Sequence, residues 1–445
     1  MQLHVGHEVN IMALRRSLAG GWILVLALFV SGREAVAQKY VPDHGTFDKV
    51  VSGAASGETV IVRSGNHISS TTASLVGKTD VVIRGEVGST IYAAAPTGTS
   101  AALRLTQCTR IKLDGLTFEG AFQSIRGVKI EPDCSFVALT GCEFRYFGHH
   151  AIDIDGSDNS ITDCRSHHNL AFPEGVRVDA HGIVTLAAQR LAIKRCKSYC
   201  NSGDSFQADR GNWNNITIDD CDFWDEPIPN LTVSSQFAGK FPNPVLPVGK
   251  TSSENAIDTK HLTTSTGVLT LRDVRMYGFT MNADTAFNAS ALVLKEKVQV
   301  TALRCIVKDS EIGWRVRGWS NTMQCKLDMV NCWTENCPTG FRLEDAPNTA
   351  AQQIRLAHNT FKNCSDPAVM APSSSGFYKN STVVNCLVQG SALPLQFTKT
   401  LGNTNVPGAK GISVPSWAYT YAATDLLLKP RPRTAPTAGA LQTYP

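Results

Sequence analysis

The chain has 445 residues, of which 42% are hydrophobic and 18% are charged, and its formal net charge is +4. This composition excludes a disordered chain and is typical of a globular protein with a large core. The charge is too small to indicate a nucleic-acid partner, so we expect no nucleic acid to bind.

Residues 1–37 have the pattern of a secretory signal peptide. Arg15 and Arg16 precede an apolar run over 18–30, and Ala35-Val36-Ala37 offers a small-x-small cleavage site. The apolar run is shorter than the roughly 20 residues that a membrane-spanning helix needs. We therefore expect a secreted or periplasmic protein that has no membrane contact after cleavage, and we expect it to be a monomer.

Eight of the thirteen cysteines recur in one setting, directly after short alternating segments such as "NSITDC" and "LAIKRC". These eight are Cys142, Cys164, Cys196, Cys221, Cys305, Cys332, Cys364 and Cys386. One cysteine in register on each turn predicts an internal ladder of small side chains rather than disulfide pairs. Disulfides stay open for the other five, which are Cys108, Cys134, Cys200, Cys325 and Cys337.

A repeat of about 20 to 35 residues with β-patterned strands predicts an all-β fold, a single-domain right-handed parallel β-helix (β-solenoid). The competing fold is a β-propeller, but its blades need about 40 or more residues each. We assign the β-helix to residues 38–397 and a C-terminal cap and tail to 398–445. We expect capped ends because an open last coil would expose its core.

Five strand segments can be laid over one another, and period-two alternation assigns their faces. They are "HHAIDIDG" (149–156), "AHGIVTLA" (180–187), "GDSFQADR" (203–210), "ENAIDTKH" (254–261) and "ASALVLKE" (289–296). The outward positions form two files of neighbours on successive coils, with Asp153, Gln207 and Asp258 between them. One file is His150, His181, Asp204 and Asn255, and the other is Asp155, Leu186, Asp209, Lys260 and Lys295.

This mixture of His, Lys and carboxylates predicts a working site rather than a merely solvated face, and the insertion over 224–253 is expected to wall a groove beside it. An outward lysine among carboxylates suits removal of the C5 proton of a uronate, once a cation neutralises the sugar carboxylate. We predict Ca²⁺ as that cation, bound by Asp153, Asp204, Asp209 and Asp258. Lys260, Arg210 or His261 would be the base, provided that neighbouring groups or burial lower the pKa of the lysine.

Histidines offer a second route, because His150 and His181 on adjacent coils could bind a transition metal or serve as acid and base. We predict His181 as a catalytic residue. We predict that the remaining polar positions, His150, Gln207, Asn255 and Lys295, bind the substrate.

At "DAHGI", "NSGDSFQ" and Lys260 the sequence resembles the secreted β-helix polysaccharide lyases of pectate lyase family 9. That pattern has an Asp before a Gly-apolar pair, an acidic cluster on the next coil, and a later Lys as base. Here His181 takes the first place, Asp204 is kept, and Gly203 and Gln207 stand at flanking acidic places. More loosely, Glu254 and Lys260 resemble the acidic residue and lysine of the chondroitinase B and alginate lyase group.

The resemblance implies β-elimination in an acidic polysaccharide with Lys260 as base. Three other functions remain open on the residues alone: a glycoside hydrolase of polygalacturonase type that uses Asp204, Asp209 and Asp258, a uronan C5-epimerase, and a non-catalytic carbohydrate-binding β-helix. Formation of a conjugated double bond separates elimination from hydrolysis, and cleavage separates both from epimerisation.

Overall fold

The computed structural model describes residues 10–18, 21–29, 37–94, 101–237, 240–241, 243–261, 265–280, 289–317, 325–344, 353–364, 369–370, 382–389, 399–401, 403–404, 418, 424–427, 429, 431 and 439–440. Among these residues no helix has the length and apolarity to cross a membrane. Two antiparallel strands lie within the predicted signal segment, at Asn10–Leu18 and Gly21–Phe29.

The described strands and the one α-helix among the described residues are, in chain order, β1 (Asn10–Leu18), β2 (Gly21–Phe29), β3 (Gln38–Val41), α1 (Phe47–Ser52), β4 (Thr59–Val62), β5 (Gly65–Ser69), β6 (Ala73–Val76), β7 (Val82–Gly85), β8 (Ser89–Ala93), β9 (Ala101–Thr106), β10 (Lys112–Asp114), β11 (Thr117–Glu119), β12 (Arg126–Ile130), β13 (Ala138–Thr140), β14 (Glu143–Arg145), β15 (Ile152–Ile154), β16 (Ser160–Thr162), β17 (Arg165–His167), β18 (Ile183–Thr185), β19 (Ala192–Lys194), β20 (Lys197–Tyr199), β21 (Phe206–Gly211), β22 (Ile216–Asp219), β23 (Asp222–Trp224), β24 (Asn255–His261), β25 (Gly267–Arg272), β26 (Arg275–Tyr277), β27 (Ser290–Leu294), β28 (Val298–Leu303), β29 (Ile306–Lys308), β30 (Ile312–Arg317), β31 (Lys326–Val330), β32 (Trp333–Glu335), β33 (Thr339–Glu344), β34 (Gln353–Ala357), β35 (Thr360–Lys362), β36 (Val369–Met370), β37 (Thr382–Val384), β38 (Leu387–Gln389) and β39 (Lys399–Leu401). Short 3₁₀ helices span Pro173–Gly175 and Ser235–Phe237.

Apart from β1 and β2, the described strands form three parallel sheets, with each strand paired to its equivalents one coil before and after. Sheet 1 runs β3-β4-β7-β10-β13-β16-β19-β22-β25-β28-β31-β34-β37-β39, sheet 2 runs from β5 through β8, β11 and every third strand to β38, and sheet 3 runs from β6 through β9, β12 and every third strand to β36. The chain therefore passes through sheets 1, 2 and 3 once per coil. This is the predicted parallel β-helix.

The turn between sheets 1 and 2 explains the cysteine repeat. The residue before each repeated cysteine has a positive φ, as at Gly141, Asp163 and Arg195, and the cysteine side chain points into the core. The Sγ of Cys164 donates to the carbonyl of Thr162 at 3.3 Å, and the other repeated cysteines donate to the carbonyl two residues earlier in the same way. All thirteen cysteines are buried and unbridged, so the ladder is confirmed and none of the open disulfides forms in the structure.

The two ends of the β-helix are built differently. At the N-terminal end, Phe47, Val50 and Val51 of α1 pack into the main core. Near the other end, β39 pairs with β37, so sheet 1 extends to residue 401 and passes the predicted boundary at 398. The described tail positions then pack along the side of the coils, where Ala418 contacts Leu303 and its neighbours.

Candidate functional site

The register of sheet 3 places the predicted site residues side by side. Ile152 pairs with Ile183, Ile183 with Phe206, and Phe206 with Ile257. Counting two residues back from each gives the file His150, His181, Asp204 and Asn255, as the alternation predicted. Gln207 pairs directly with Asp258 in the middle of the face.

The outward face is much less solvated than the sequence predicted. The side chains of Asp204 and Asp258 are 0% and 2% exposed, and His181, Gln207 and Asn255 are buried as well. Lys260, Lys295 and Asp209 keep part of their side chains exposed, with fractions of 26%, 16% and 39%. The site is therefore a layer of buried polar groups beneath a smaller set of accessible charges.

The buried layer is held together by hydrogen bonds between coils. The backbone N–H of Asp204 donates to Nδ1 of His181 at 2.8 Å, and the Asn255 amide donates to the Asp204 carboxyl at 2.8 Å. Gln207 donates to the other carboxyl oxygen of Asp204 at 3.2 Å. Burial raises the pKa of Asp204 well above its usual value, and the nearby Glu254 and Asp258 raise it further. Both carboxyl oxygens of Asp204 thus accept hydrogen bonds from side chains of its own coil and the next one.

Gly203 is required by the position of His181. A Cβ atom on Gly203 would lie 2.4 Å from Nδ1 of His181, which no real side chain tolerates. An acidic side chain at this place, as the lyase pattern has, would displace the histidine ring. Gly203 and the present position of the His181 ring therefore depend on each other.

Two lysines converge on one carboxylate. Nζ of Lys295 lies 2.8 Å from Oδ2 of Asp258, and Nζ of Lys260 lies 3.4 Å from the same oxygen and 3.6 Å from Oδ1 of Asp209. Burial would raise the pKa of Asp258, but Lys295 and Lys260 outweigh it and hold the pKa below its usual value. Asp258 is ionised at neutral pH.

Lys260 does not meet the condition for a base. Burial acts to lower its pKa, but Asp258, Asp209 and Asp204 together raise the pKa well above that of an ordinary lysine. The amine is therefore protonated at neutral pH and has no lone pair to accept a proton. The prediction needed neighbouring groups that lower the pKa of Lys260, but its neighbours are mainly carboxylates, which raise it.

Arg210 and His261 are also unsuited to the base role predicted for them. The Arg210 guanidinium bonds Glu296 two coils away, at 3.0 and 2.5 Å, and an arginine is not deprotonated in proteins. The His261 ring is buried, with Nε2 2.9 Å from the carbonyl oxygen of Trp213 and the ring edge against the Trp213 indole. His261 has the inward parity of Ile257 and Thr259, so alternation places it in the interior.

The four predicted calcium ligands are not brought together. Val184 lies between Asp153 and Gln207 in the register, and Asp153 pairs instead with Arg126 at 2.9 Å and Lys129 at 3.3 Å. The oxygens of Asp204 already accept from Asn255 and Gln207, and Asp258 is paired with two lysines. Among the described residues, no three His, Cys, Asp or Glu side chains are placed to hold a metal ion. This donor set does not fit Ca²⁺, which prefers several ionised or carbonyl oxygens.

The histidine pair does not fit a transition metal either. Nδ1 of His150 accepts the backbone N–H of His181 at 3.3 Å, and Nδ1 of His181 accepts that of Asp204. In each ring the single lone pair of Nδ1 accepts a hydrogen bond, so the neutral ring carries its hydrogen on Nε2. Neither nitrogen of either ring therefore keeps a lone pair for a metal.

Several residues at the edge of the site were missed by the sequence analysis. Arg177 lies 2.9 Å from Asp179 and 3.9 Å from Glu254, and it also donates to the carbonyl of Ser202. Burial raises the pKa of Glu254, with Asp179 and Asp258 adding to the effect. The available signal was the long coil between Cys164 and Cys196, whose extra residues form the loop that carries Arg177 and Asp179.

The predicted wall of the groove packs on the turn between sheets 2 and 3. Ile228 of the insertion lies against Leu170, Phe172 and Cys200, and Phe237 lies against Tyr92 and Ala121. Tyr92 lies in β8 of sheet 2, and the other four partners follow strands of that sheet. The insertion therefore covers the turn from which the site strands of sheet 3 start.

Comparisons with known proteins agree with this architecture. A family model described as a right handed beta helix region matches residues 88–238. No curated protein sequence matches the chain. The match includes the coils of His150, His181 and Asp204.

Among solved structures, the chain is similar to pectate lyase Pel9A, with 11% identity, 90% of this chain and 91% of that chain covered, and a TM-score of 0.50. It is also similar to an alginate lyase from Paenibacillus sp. str. FPU-7, with 13% identity, coverage of 67% and 94%, and a TM-score of 0.41. A third similar structure is ORF18 of Geobacillus virus E2, with 13% identity and a TM-score of 0.48. The match covers 76% of this chain but only 66% of the length of ORF18. The likeness to Pel9A is a likeness of fold.

Proposed function

We propose that this β-helix cleaves an acidic, uronate-containing polysaccharide in the groove on sheet 3, by β-elimination. The observation that carries the proposal is the convergence of Lys260 and Lys295 on Asp258, with part of each lysine side chain still exposed. The two ammonium groups share the buried Asp258 carboxylate and Lys260 also adjoins Asp209, but each ammonium has three N–H donors and keeps some of them for a further carboxylate from solution. A uronate supplies that group.

In this proposal the lysines perform the neutralisation that the sequence analysis assigned to Ca²⁺. The C5 proton of a uronate becomes removable when positive charge stabilises the carboxylate next to it. Because the pKa of Lys260 is raised, its ammonium group persists at neutral pH and can stabilise the developing negative charge. Lys260 is thus an electrostatic catalyst rather than the base.

The base and the acid are then carboxyl groups. Asp209 is 39% exposed and adjoins Lys260, so we assign it the C5 proton. Glu254 is 29% exposed with a raised pKa, so we assign it the proton that goes to the departing O4 oxygen. The C5–H electron pair forms the C4=C5 double bond as the C4–O bond breaks, and the proton count balances between Asp209 and Glu254.

Hydrolysis is a second candidate, favoured by the opposite pKa shifts of two carboxyl groups. The pKa of Glu254 is raised and that of Asp258 is lowered, which suits an acid and a base acting on water. Asp258 is 2% exposed in the free protein, so water reaches it only if the lysines move. This makes elimination the better-supported reaction.

The test uses the purified chain with pectate, alginate and glycosaminoglycans, each with added Ca²⁺ or with EDTA. Elimination predicts ultraviolet absorbance of an unsaturated uronate, with an equal rate in EDTA. A strict Ca²⁺ requirement would overturn the lysine assignment. New reducing ends without absorbance would indicate hydrolysis, an altered sugar configuration without cleavage would indicate epimerisation, and no product would indicate a binding protein.

A further inference from the structure

Two histidines lie ring on ring at the edge where the site strands begin. The ring centroids of His150 and His181 are 4.8 Å apart with an angle of 24° between the planes, one coil apart on sheet 3. His150 is half-buried and His181 is 3% exposed. The elimination mechanism above uses neither ring.

Each ring is fixed in one protonation state by the next coil. Nδ1 of His150 accepts the N–H of His181, and Nδ1 of His181 accepts the N–H of Asp204. A nitrogen that accepts an N–H carries no hydrogen, so the neutral ring carries it on Nε2. Burial lowers the pKa of His181 to about 4 and that of His150 well below its usual value, so both rings are neutral at neutral pH.

The two Nε2–H groups are left for a ligand. Within the part of the chain that the structure describes, neither group has a hydrogen-bond partner, and neither is among the buried polar atoms that lack one. Both atoms therefore keep some solvent-exposed area. Each ring thus offers one uncharged N–H donor, and its other nitrogen already accepts a backbone N–H. The pair therefore presents donors only, one coil apart.

We propose that His150 and His181 are a specificity-determining pair that binds the carboxylate of a second uronate in the same substrate chain. A carboxylate only accepts hydrogen bonds, so it matches a site that only donates, whereas a hydroxyl must also place its own hydrogen. A hydrogen bond to an ionised oxygen is also stronger than one to a neutral oxygen. This inference rests on the proposed function for the nature of the polymer.

The first test reads the rings directly and needs no turnover. Histidine is labelled with ¹⁵N in the full chain, and the signals of the two residues are assigned from their loss in H150Q and H181Q. We expect Nε2 protonated and Nδ1 unprotonated in both rings at neutral pH. A hydrogen on Nδ1, or a charged ring, would overturn the proposal whether or not the protein is a lyase.

The second test measures binding of short oligouronates prepared from pectate and from alginate, with their methyl esters as the uncharged comparison. We expect the best oligouronate to shift both Nε2 signals and to bind about tenfold or more weakly to H150L and H181L. H150Q and H181Q keep a donor near the same place and should retain most of the affinity. Unchanged affinity in the leucine variants, or no binding of any oligouronate to the natural sequence, would contradict the pair.

Gly203→Ala tests the position of the His181 ring without removing either histidine. Its new Cβ would lie 2.4 Å from Nδ1 of His181 and must displace that ring. We expect the G203A protein to lose affinity for the oligouronate as H181L does, while its affinity for the methyl ester stays that of the natural sequence. Full affinity of folded G203A for the oligouronate would argue against a positioned His181 donor.

Discussion

Lys260 illustrates how a residue of the right type in the right place can have a different role from the one its type suggests. Three carboxylates raise its pKa, and its ammonium group bonds Asp258 and adjoins Asp209. A base must lose its proton, whereas a charge-stabilising group must keep it. The two roles predict different consequences for replacement by arginine.

We expect Lys260→Arg to retain cleavage activity within about tenfold, because arginine keeps the positive charge. Lys260→Ala should lower kcat by roughly a hundredfold to a thousandfold, as removal of one charge-stabilising group typically does. Initial rates of product absorbance on the same uronan measure both. If arginine were as damaging as alanine, Lys260 would be the base after all.

Asp225 is the second residue whose environment decides its behaviour. Its Oδ2 accepts the backbone N–H groups of Ser252 and Ser253 at 3.1 and 3.0 Å, which fixes the end of the insertion just before Glu254. Burial raises the pKa of Asp225 to about 7. The folded protein therefore holds a proton here over a pH range in which the unfolded chain has lost it.

This pKa predicts that the free energy of unfolding falls as pH rises from about 4 to about 7, since the native state binds the extra proton. Asp225→Asn cannot titrate, so its stability should lack this decrease. Between pH 5 and 8 we expect the natural sequence to lose roughly 2–3 kcal/mol relative to D225N, by urea unfolding. Parallel pH profiles for the two proteins would exclude the raised pKa.

At the scale of the elements, the short strands are stable because their inward side chains stack from coil to coil. In β11 and β14 the middle residues are Phe118 and Phe144, whose rings lie 5.2 Å apart and almost parallel. Both are fully buried. Strands of three residues have too few hydrogen bonds to persist alone, so this stacking supplies much of their stability.

Phe144→Ala should therefore lower the free energy of unfolding by about 3–5 kcal/mol, the usual cost of such a cavity. Phe136, in the turn before β13, offers a matched control because it is 55% exposed. Phe136→Ala should change stability by no more than about 0.5 kcal/mol. Similar urea midpoints for the two variants would show that the phenylalanine stack contributes little.

For the whole molecule, the ladder of free cysteines is the most direct test of the coil arrangement. Every one of the thirteen thiols is buried, and each repeated cysteine donates to a carbonyl within its own turn. A dissolved thiol reagent cannot reach a sulfur that is buried in the folded chain, so burial protects all thirteen. Reactivity should therefore depend on unfolding.

We expect a thiol reagent to label no cysteine in the native protein within minutes, and to label all thirteen in denaturant without reductant. Mass spectrometry of the labelled chain counts them. The same experiment after reduction is the control, and it should give the same number. A lower count before reduction would reveal disulfides and contradict a ladder made only of free thiols.

The sequence alone determined the architecture and the order of the site residues. The cysteine repeat and the period-two alternation are local patterns, and local patterns are enough to set strand faces and coil register. The file of His150, His181, Asp204 and Asn255 followed from them without knowledge of the structure. The sequence analysis predicted His261 as a candidate base from its residue type, whereas its parity with Ile257 and Thr259 agrees with the buried position in the structure.

Only the tertiary structure decided the state of those residues. Asp204 and Asp258 are buried, Lys295 bonds Asp258 across 37 residues of sequence, and Arg210 bonds Glu296 across 86. A pKa, a histidine tautomer or a metal site depends on which groups surround an atom in space. Distant segments of the chain supply those groups, so no local pattern could fix the charge on Lys260 or the hydrogen on His181.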